Sequence, residues 1–252
     1  MKIRTKGGYM KSKLLALSLF GFGFSVSSVA QTSSVSVAPY SDFVGVYGQI
    51  STGWDQNTAQ SSSPSITTSK YGSATGTASD TGSWGYTPLN VGVGYIFEVM
   101  PKWTLGVGAD YSLYMPNSNT VATDFKGQLA NGKVSYYYTA KDRYNLYVTP
   151  GYAIDKDKLA YVKLGYTSEI IQIKNPNDGR ATNSDRVGGY ILGVGYKQII
   201  SGGFYGFGEA NYLGYSSSTL STPTINATSQ ARFNVNQNVS AYNFLVGVGY
   251  KY

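Results

Sequence analysis

The chain has 252 residues, of which only 13% are charged against a usual share of about 25%, while 15% are aromatic and Tyr alone occurs 24 times. No stretch after residue 30 approaches the roughly 20 apolar residues of a membrane helix, and Cys and His are both absent, so a helical membrane protein, a disulfide-stapled domain and any His–Cys metal site are excluded. The net charge of +7 invites a nucleic-acid surface, but five of the 20 basic residues (Lys2, Arg4, Lys6, Lys11, Lys13) and none of the 13 acidic ones precede residue 31; the rest is nearly neutral, and a nucleic-acid partner finds no support.

Residues 1–13 hold those five positive charges, 14–24 form an apolar run too short to span a membrane, and Ser28-Val29-Ala30 is a small-x-small site. This is the pattern of a secretory signal peptide cleaved between Ala30 and Gln31. Met10-Lys11-Ser12-Lys13 before the same run is already a complete signal, so Met1 and Met10 both stand as starts. Residues 31–252 are then a single exported domain.

From residue 43 onward, apolar side chains recur at every second position in eight segments: 43–51, 88–97, 103–114, 143–154, 159–167, 187–199, 204–214 and 241–252. Most match the 9 to 11 residues that a tilted strand needs to cross a bilayer. The faces separate cleanly in the last segment. Tyr242, Phe244, Val246, Val248, Tyr250 and Tyr252 share one side, and Asn243, Leu245, Gly247, Gly249 and Lys251 the other. In the third, Trp103, Leu105, Val107, Ala109, Tyr111 and Leu113 oppose Thr104, Gly106, Gly108, Asp110 and Ser112. Apolar out and polar in is the order of a membrane barrel.

Same-face aromatic pairs eight residues apart support that reading: Trp103 with Tyr111, Tyr144 with Tyr152, Phe204 with Tyr212, and Tyr242 with Tyr250. On strands tilted about 40° the rise is roughly 20 Å, close to the height of the apolar band, so each pair is expected to mark its two rims. The connections alternate. Those at 98–102, 155–158 and 200–203 are short; 52–87, 115–142, 168–186 and 215–240 are long, polar and without an apolar period. Short turns belong on the periplasmic side, which puts both termini there. Ser61-Ser62-Ser63-Pro64 reads as a flexible tract. Asn131-Gly132 reads as a two-residue hairpin turn, and counting its flanks as transmembrane makes a ten-strand rival, against which Lys126 and Lys133 are poor lipid neighbours. Pro150 deletes a ladder hydrogen bond within the fourth segment.

The signal peptide, the repeats Val91-Gly92-Val93-Gly94-Tyr95, Leu192-Gly193-Val194-Gly195-Tyr196 and Val246-Gly247-Val248-Gly249-Tyr250, and Gly208-Glu209-Ala210-Asn211-Tyr212 resemble the small outer-membrane β-barrel superfamily, which includes the opacity-type surface proteins, outer membrane protein X and the membrane domain of outer membrane protein A. The resemblance implies an all-β, antiparallel up-and-down transmembrane barrel of eight strands in the cell outer membrane. It also implies that Tyr242, Phe244, Val246, Val248, Tyr250 and Tyr252 form the signal read by the barrel-assembly machinery, with Tyr252 standing where relatives usually carry Phe. The peptidoglycan-binding domain that follows some relatives is not expected after this barrel.

Small barrels that are enzymes, such as the lipid A palmitoyltransferases and the omptin proteases, depend on a His. With none in the chain, no enzymatic activity and no cofactor are expected. A hydrolase using only carboxylates, Asp110 and Glu209, is the weaker reading. By parity Asp110, Lys163, Lys197, Glu209 and Lys251 point into the lumen of a barrel just wide enough to be filled by side chains. They are expected to satisfy one another there. The inward glycines leave room for water at the short-turn end if the barrel is instead a narrow conduit. In the loops, Asn177-Asp178-Gly179-Arg180 reads as a turn, and Lys174, Arg180 and Arg186 are candidates for lipopolysaccharide phosphates. Two functions follow: a non-enzymatic surface barrel, adhesion- or opacity-like, whose long loops contact lipopolysaccharide, host or neighbouring cells; or a narrow, porin-like channel with a charged lumen.

Overall fold

The computed structural model describes residues 39–68, 72–75, 77–78, 82–114, 117–125, 132–174, 181–222 and 232–252. The signal segment with Ala30 and Gln31, and the turn at 177–180, lie outside the described residues. Eight long strands build the molecule: β1 (Gly45–Thr68), β2 (Leu89–Met100), β3 (Trp103–Tyr114), β4 (Gly132–Asp155), β5 (Lys158–Lys174), β6 (Ala181–Ser201), β7 (Phe204–Tyr215) and β8 (Arg232–Lys251). Each pairs antiparallel with the next. β8 returns to β1, with Gly48 opposite Tyr250 and Trp54 opposite Phe244, and the sheet closes into an eight-stranded barrel without a free edge.

The ten-strand alternative fails because Asn117–Phe125 pairs with the early part of β4 and with the short strand Thr77–Ala78, outside the ring of eight. Gly132 pairs with Phe125, so it is a strand residue and not the second residue of a two-residue turn; 126–131 lie outside the described residues.

The short connections are two-residue hairpins. Gly202 and Gly203 have φ of 56° and 98°, the left-handed pair that matches strand twist in such a turn. At Pro101-Lys102 only Lys102, at φ 71°, is left-handed, and the register shifts between Glu98 and Met100 beside it.

The long connections are where expectation and structure part. β1 runs to Thr68 and stays paired with β8 as far as Thr67 opposite Arg232, so the Ser61–Pro64 tract is strand rather than flexible coil. Pro64 falls in the register break between Ser62 and Ser65, where its missing N–H costs no ladder bond. β4, β5, β6 and β8 also continue well past the segments that alternate apolar with polar. Pro150 is accommodated in a regular β4: it pairs with Leu105 of β3, while on the β5 side the ladder skips from Val148–Leu164 to Gly151–Tyr161 without a shift of register.

The two faces are inverted relative to a water-soluble protein. Val93, Val194, Phe244 and Val246 stand 58–64% exposed on the outside, whereas Lys163, Arg143 and Glu169 inside are at most 2% exposed. An apolar band of this extent greatly exceeds the few hundred Å² that monomeric soluble proteins leave to water.

Candidate functional site

The lumen is filled in layers. At the short-turn end Phe43, Tyr47, Ile96, Leu159, Tyr205 and Phe207 form an apolar cluster with Tyr161. This overturns the expectation that inward glycines leave room for water. A β-carbon at Gly108 would stand 2.7 Å from both the Tyr147 ring and the Tyr47 hydroxyl, and Gly94, Gly195 and Gly249 are overlaid by Tyr47, Tyr161 and Tyr205. The glycines admit rings from neighbouring strands into a narrow tube.

Above that cluster, Lys163 from β5 is held between two carboxylates: its Nζ lies 2.9 Å from Asp110 Oδ2 of β3 and 3.1 Å from Glu209 Oε2 of β7. Tyr161 donates its hydroxyl to Glu209 Oε1 at 2.7 Å, and Asn145 donates to Asp110 Oδ1. The members come from β3, β4, β5 and β7, so the network crosses the lumen as well as filling it. Lys197 sits apart, its ammonium 4.0 Å from the centre of the Tyr47 ring and 3.2 Å from Gln49 Oε1. Lys251 is half-buried near the end of β8 and forms no ion pair among the described residues.

A layer of amides and hydroxyls follows, in which Ser112 donates to Asn90 Oδ1 at 2.7 Å and Asn211 Nδ2 donates to Asn243 Oδ1 at 2.9 Å. Beyond it lies a second ionic cluster that the apolar period does not reveal. Arg143 Nη1 is 2.6 Å from Asp55 Oδ2, its Nε is 2.8 Å from Glu169 Oε2, and its Nη2 donates to Asn57 Oδ1 at 2.8 Å. A bulge between Lys141 and Tyr144, with Asp142 at φ 52°, aims Arg143 inward. Asp55 and Glu169 fall in segments that the sequence pattern assigns to loops, and the structure corrects this to strand. The signal that finds them is polar parity: Asp55-x-Asn57, Arg143-x-Asn145 and Thr167-x-Glu169 continue the inward polar alternation after the outward apolar one has stopped.

Outside, the expected rim aromatics meet across strands. Trp103 is opposite Tyr152 with ring centres 5.2 Å apart, and Phe204 is opposite Tyr250 at 4.8 Å, both near the short turns. Tyr111 faces Tyr144, Tyr166 faces Tyr190, and Tyr212 faces Tyr242 near the long connections. On β8, Tyr242, Phe244, Val246 and Val248 are all exposed and Tyr250 is half-exposed, and Tyr252, just past the strand, is exposed. Of the three cations expected in loops, Arg186 lies on β6 and is exposed, Lys174 ends β5 and is half-buried, and Arg180 lies outside the described residues.

Among the described residues no group of three His, Cys, Asp or Glu side chains is placed to hold a metal ion. The lumen side chains thus stack as two ionic clusters, each with one cation between two carboxylates, separated by amides and set above a plug of rings.

No protein-family model and no curated protein matches the sequence. The likeness lies in structure. The outer membrane protein OprG from Pseudomonas aeruginosa superposes with a TM-score of 0.56 at 16% identity, over 85% of this chain and 99% of that one. The outer membrane protease OmpT from Escherichia coli does so at 0.50 and 10% identity, over 88% and 100%. The chain thus has the fold of outer-membrane β-barrels.

Proposed function

We propose that this chain is a non-enzymatic integral outer-membrane protein, exported by its N-terminal signal and displaying an extended surface structure on a plugged barrel. The observation that carries the reading is the inversion of faces: rings and aliphatic groups outside, ion-paired side chains inside a closed sheet. Only a hydrocarbon solvent stabilises that arrangement, because it leaves the outer face no reason to be polar and requires every backbone group to be paired. The two rows of rings anchor the barrel at its interfaces, with the short turns and both termini toward the periplasm. The alternate residues Tyr242 to Tyr252 of β8 act as the assembly signal.

The surface role is favoured over a channel because the lumen is occupied along its length. It is favoured over catalysis because the chain lacks His, and because the likeness to a protease of the same fold extends to the fold alone. Five of the long strands continue beyond the apolar band as an extension rich in Ser, Thr and Asn, the part of the chain that meets lipopolysaccharide, host or neighbouring cells in this reading. Membrane fractionation with gel mobility before and after boiling tests the reading: a folded barrel partitions with the outer membrane and shifts on heating, and a soluble, unshifted chain would refute it.

A further inference from the structure

On the outward face of β4, β5 and β6, Lys141 lies opposite Ile170, and Ile170 lies opposite Arg186. With strands about 4.8 Å apart, the backbones of the two cationic residues stand roughly 10 Å from each other across an apolar residue. Arg186 is held in place. Its guanidinium lies 5.4 Å from the Tyr144 ring centre, and its Nη1 donates to the Asp142 carbonyl and the Ser168 hydroxyl, each at 3.4 Å. Both acceptors are neutral, so the charge is positioned without being neutralised. Neither Arg186 nor Lys141 forms an ion pair among the described residues. Asp142 turns its carboxylate to the Tyr111 hydroxyl, 3.0 Å away, and Asp185 projects by parity to the opposite face from Arg186.

Directly toward the barrel middle from Arg186 there is an open cleft of ≈ 610 Å³, lined by Tyr166, Gly188, Gly189, Tyr190, Gly214 and Ser216 among others. It forms where β6 and β7 part, their pairing beginning only at Gly189 opposite Tyr215. Tyr166 lies over Gly188 and Tyr190 over Gly214, and the two rings with polar tips border the cleft. Arg186 is four residues along β6 from Tyr190, a rise of roughly 10 Å on a tilted strand. With Tyr190 at the edge of the hydrocarbon, the two backbones stand just outside the polar layer, about 5 to 8 Å deep, and Arg186 reaches back toward it to the Tyr144 ring.

We propose that this face binds the phosphorylated headgroup of a membrane glycolipid, Lys141 and Arg186 taking the phosphate and the Tyr166–Tyr190 cleft seating the sugar between phosphate and acyl chains. Phosphate suits the pair because a guanidinium with free N–H groups and a mobile ammonium offer complementary charge-assisted donors. A lipid rather than a soluble polyanion fits because Ile170 separates the cations and the cleft runs down into the apolar band.

The proposal rests on the membrane-barrel reading, and the experiment keeps the two apart. Folded protein in neutral detergent is titrated with lipid A, with its dephosphorylated form and with inorganic phosphate, and binding is followed by native mass spectrometry. The wild type should form a one-to-one lipid A adduct. Binding should weaken on the order of 30-fold in the Lys141→Gln/Arg186→Gln variant and comparably when the phosphates are removed from the lipid, an arm that needs no substitution. Lys158→Gln, at the short-turn end, should leave affinity unchanged and Asp142→Asn should tighten it. Equal affinity for phosphorylated and dephosphorylated lipid, equal affinity in wild type and double variant, or inorganic phosphate binding as tightly as the lipid would overturn the proposal alone. A wild type that stays dispersed without detergent would overturn the membrane reading and this proposal with it.

Discussion

Arg143 and Glu169 meet inside the barrel with Nε and Oε2 2.8 Å apart, although the carboxylate is fully buried and the guanidinium 2% exposed. A pair so placed contributes little net stability while intact, because desolvation offsets most of the attraction, but breaking it strands a charge. Arg143→Ala leaves both Asp55 and Glu169 uncompensated. It should lower unfolding stability in detergent, measured by denaturant titration, by about 3–5 kcal/mol. Combining Arg143→Met with Asp55→Asn and Glu169→Gln should recover most of that loss. Full loss in the triple variant would mean that shape, not charge, is what the cluster supplies.

The glycines under the rings make a second prediction. Gly108→Val drives a side chain into Tyr47 and Tyr147 and should destabilise by about 1–3 kcal/mol or prevent the heat-induced gel shift. Gly48→Ala, where nothing stands within 4 Å of the added carbon, should be silent.

The filled lumen predicts that the wild-type protein in a planar bilayer gives no discrete conductance steps. Tyr47→Ala with Tyr205→Ala removes two rings of the plug and should permit small steps. Regular steps from the wild type that vanish on replacing Lys163 or Glu209 would restore the channel reading.

Export predicts that the mature protein begins at Gln31. Intact mass of protein extracted from outer membranes should correspond to residues 31–252, and Ala30→Pro should block processing. A mass that retains residues 1–30 would contradict the signal assignment.

How much of the fold is legible in the sequence depends on where hydrocarbon ends. Within the apolar band each strand must alternate, so Trp103, Leu105 and Val107 against Thr104, Gly106 and Gly108 declare both strand and face by residue type alone. The same parity places Lys163, Asp110 and Glu209 together. Past the rim, water makes no demand for apolar outward residues, the period vanishes, and Asp55, Asn57 and Glu169 read as loop although their strands continue. The glycines mislead for a related reason: an inward glycine does not say whether water or a neighbour's ring occupies the space above it. Tyr47 and Tyr161, inward by the same alternation, are the other half of that pattern.

Because the chain contains no Cys, single-cysteine variants carry one spin label each, and a scan of β8 from residue 241 to 250 tests the central claim directly. Labels at Tyr242, Phe244, Val246, Val248 and Tyr250 should be relaxed by lipid-soluble oxygen and shielded from a water-soluble nickel reagent, while those at Ala241, Asn243, Leu245, Gly247 and Gly249 should be shielded from oxygen, giving a period of two. Nickel accessibility at Val246 and Val248, or oxygen profiles without that alternation, would contradict a barrel whose outer face meets lipid.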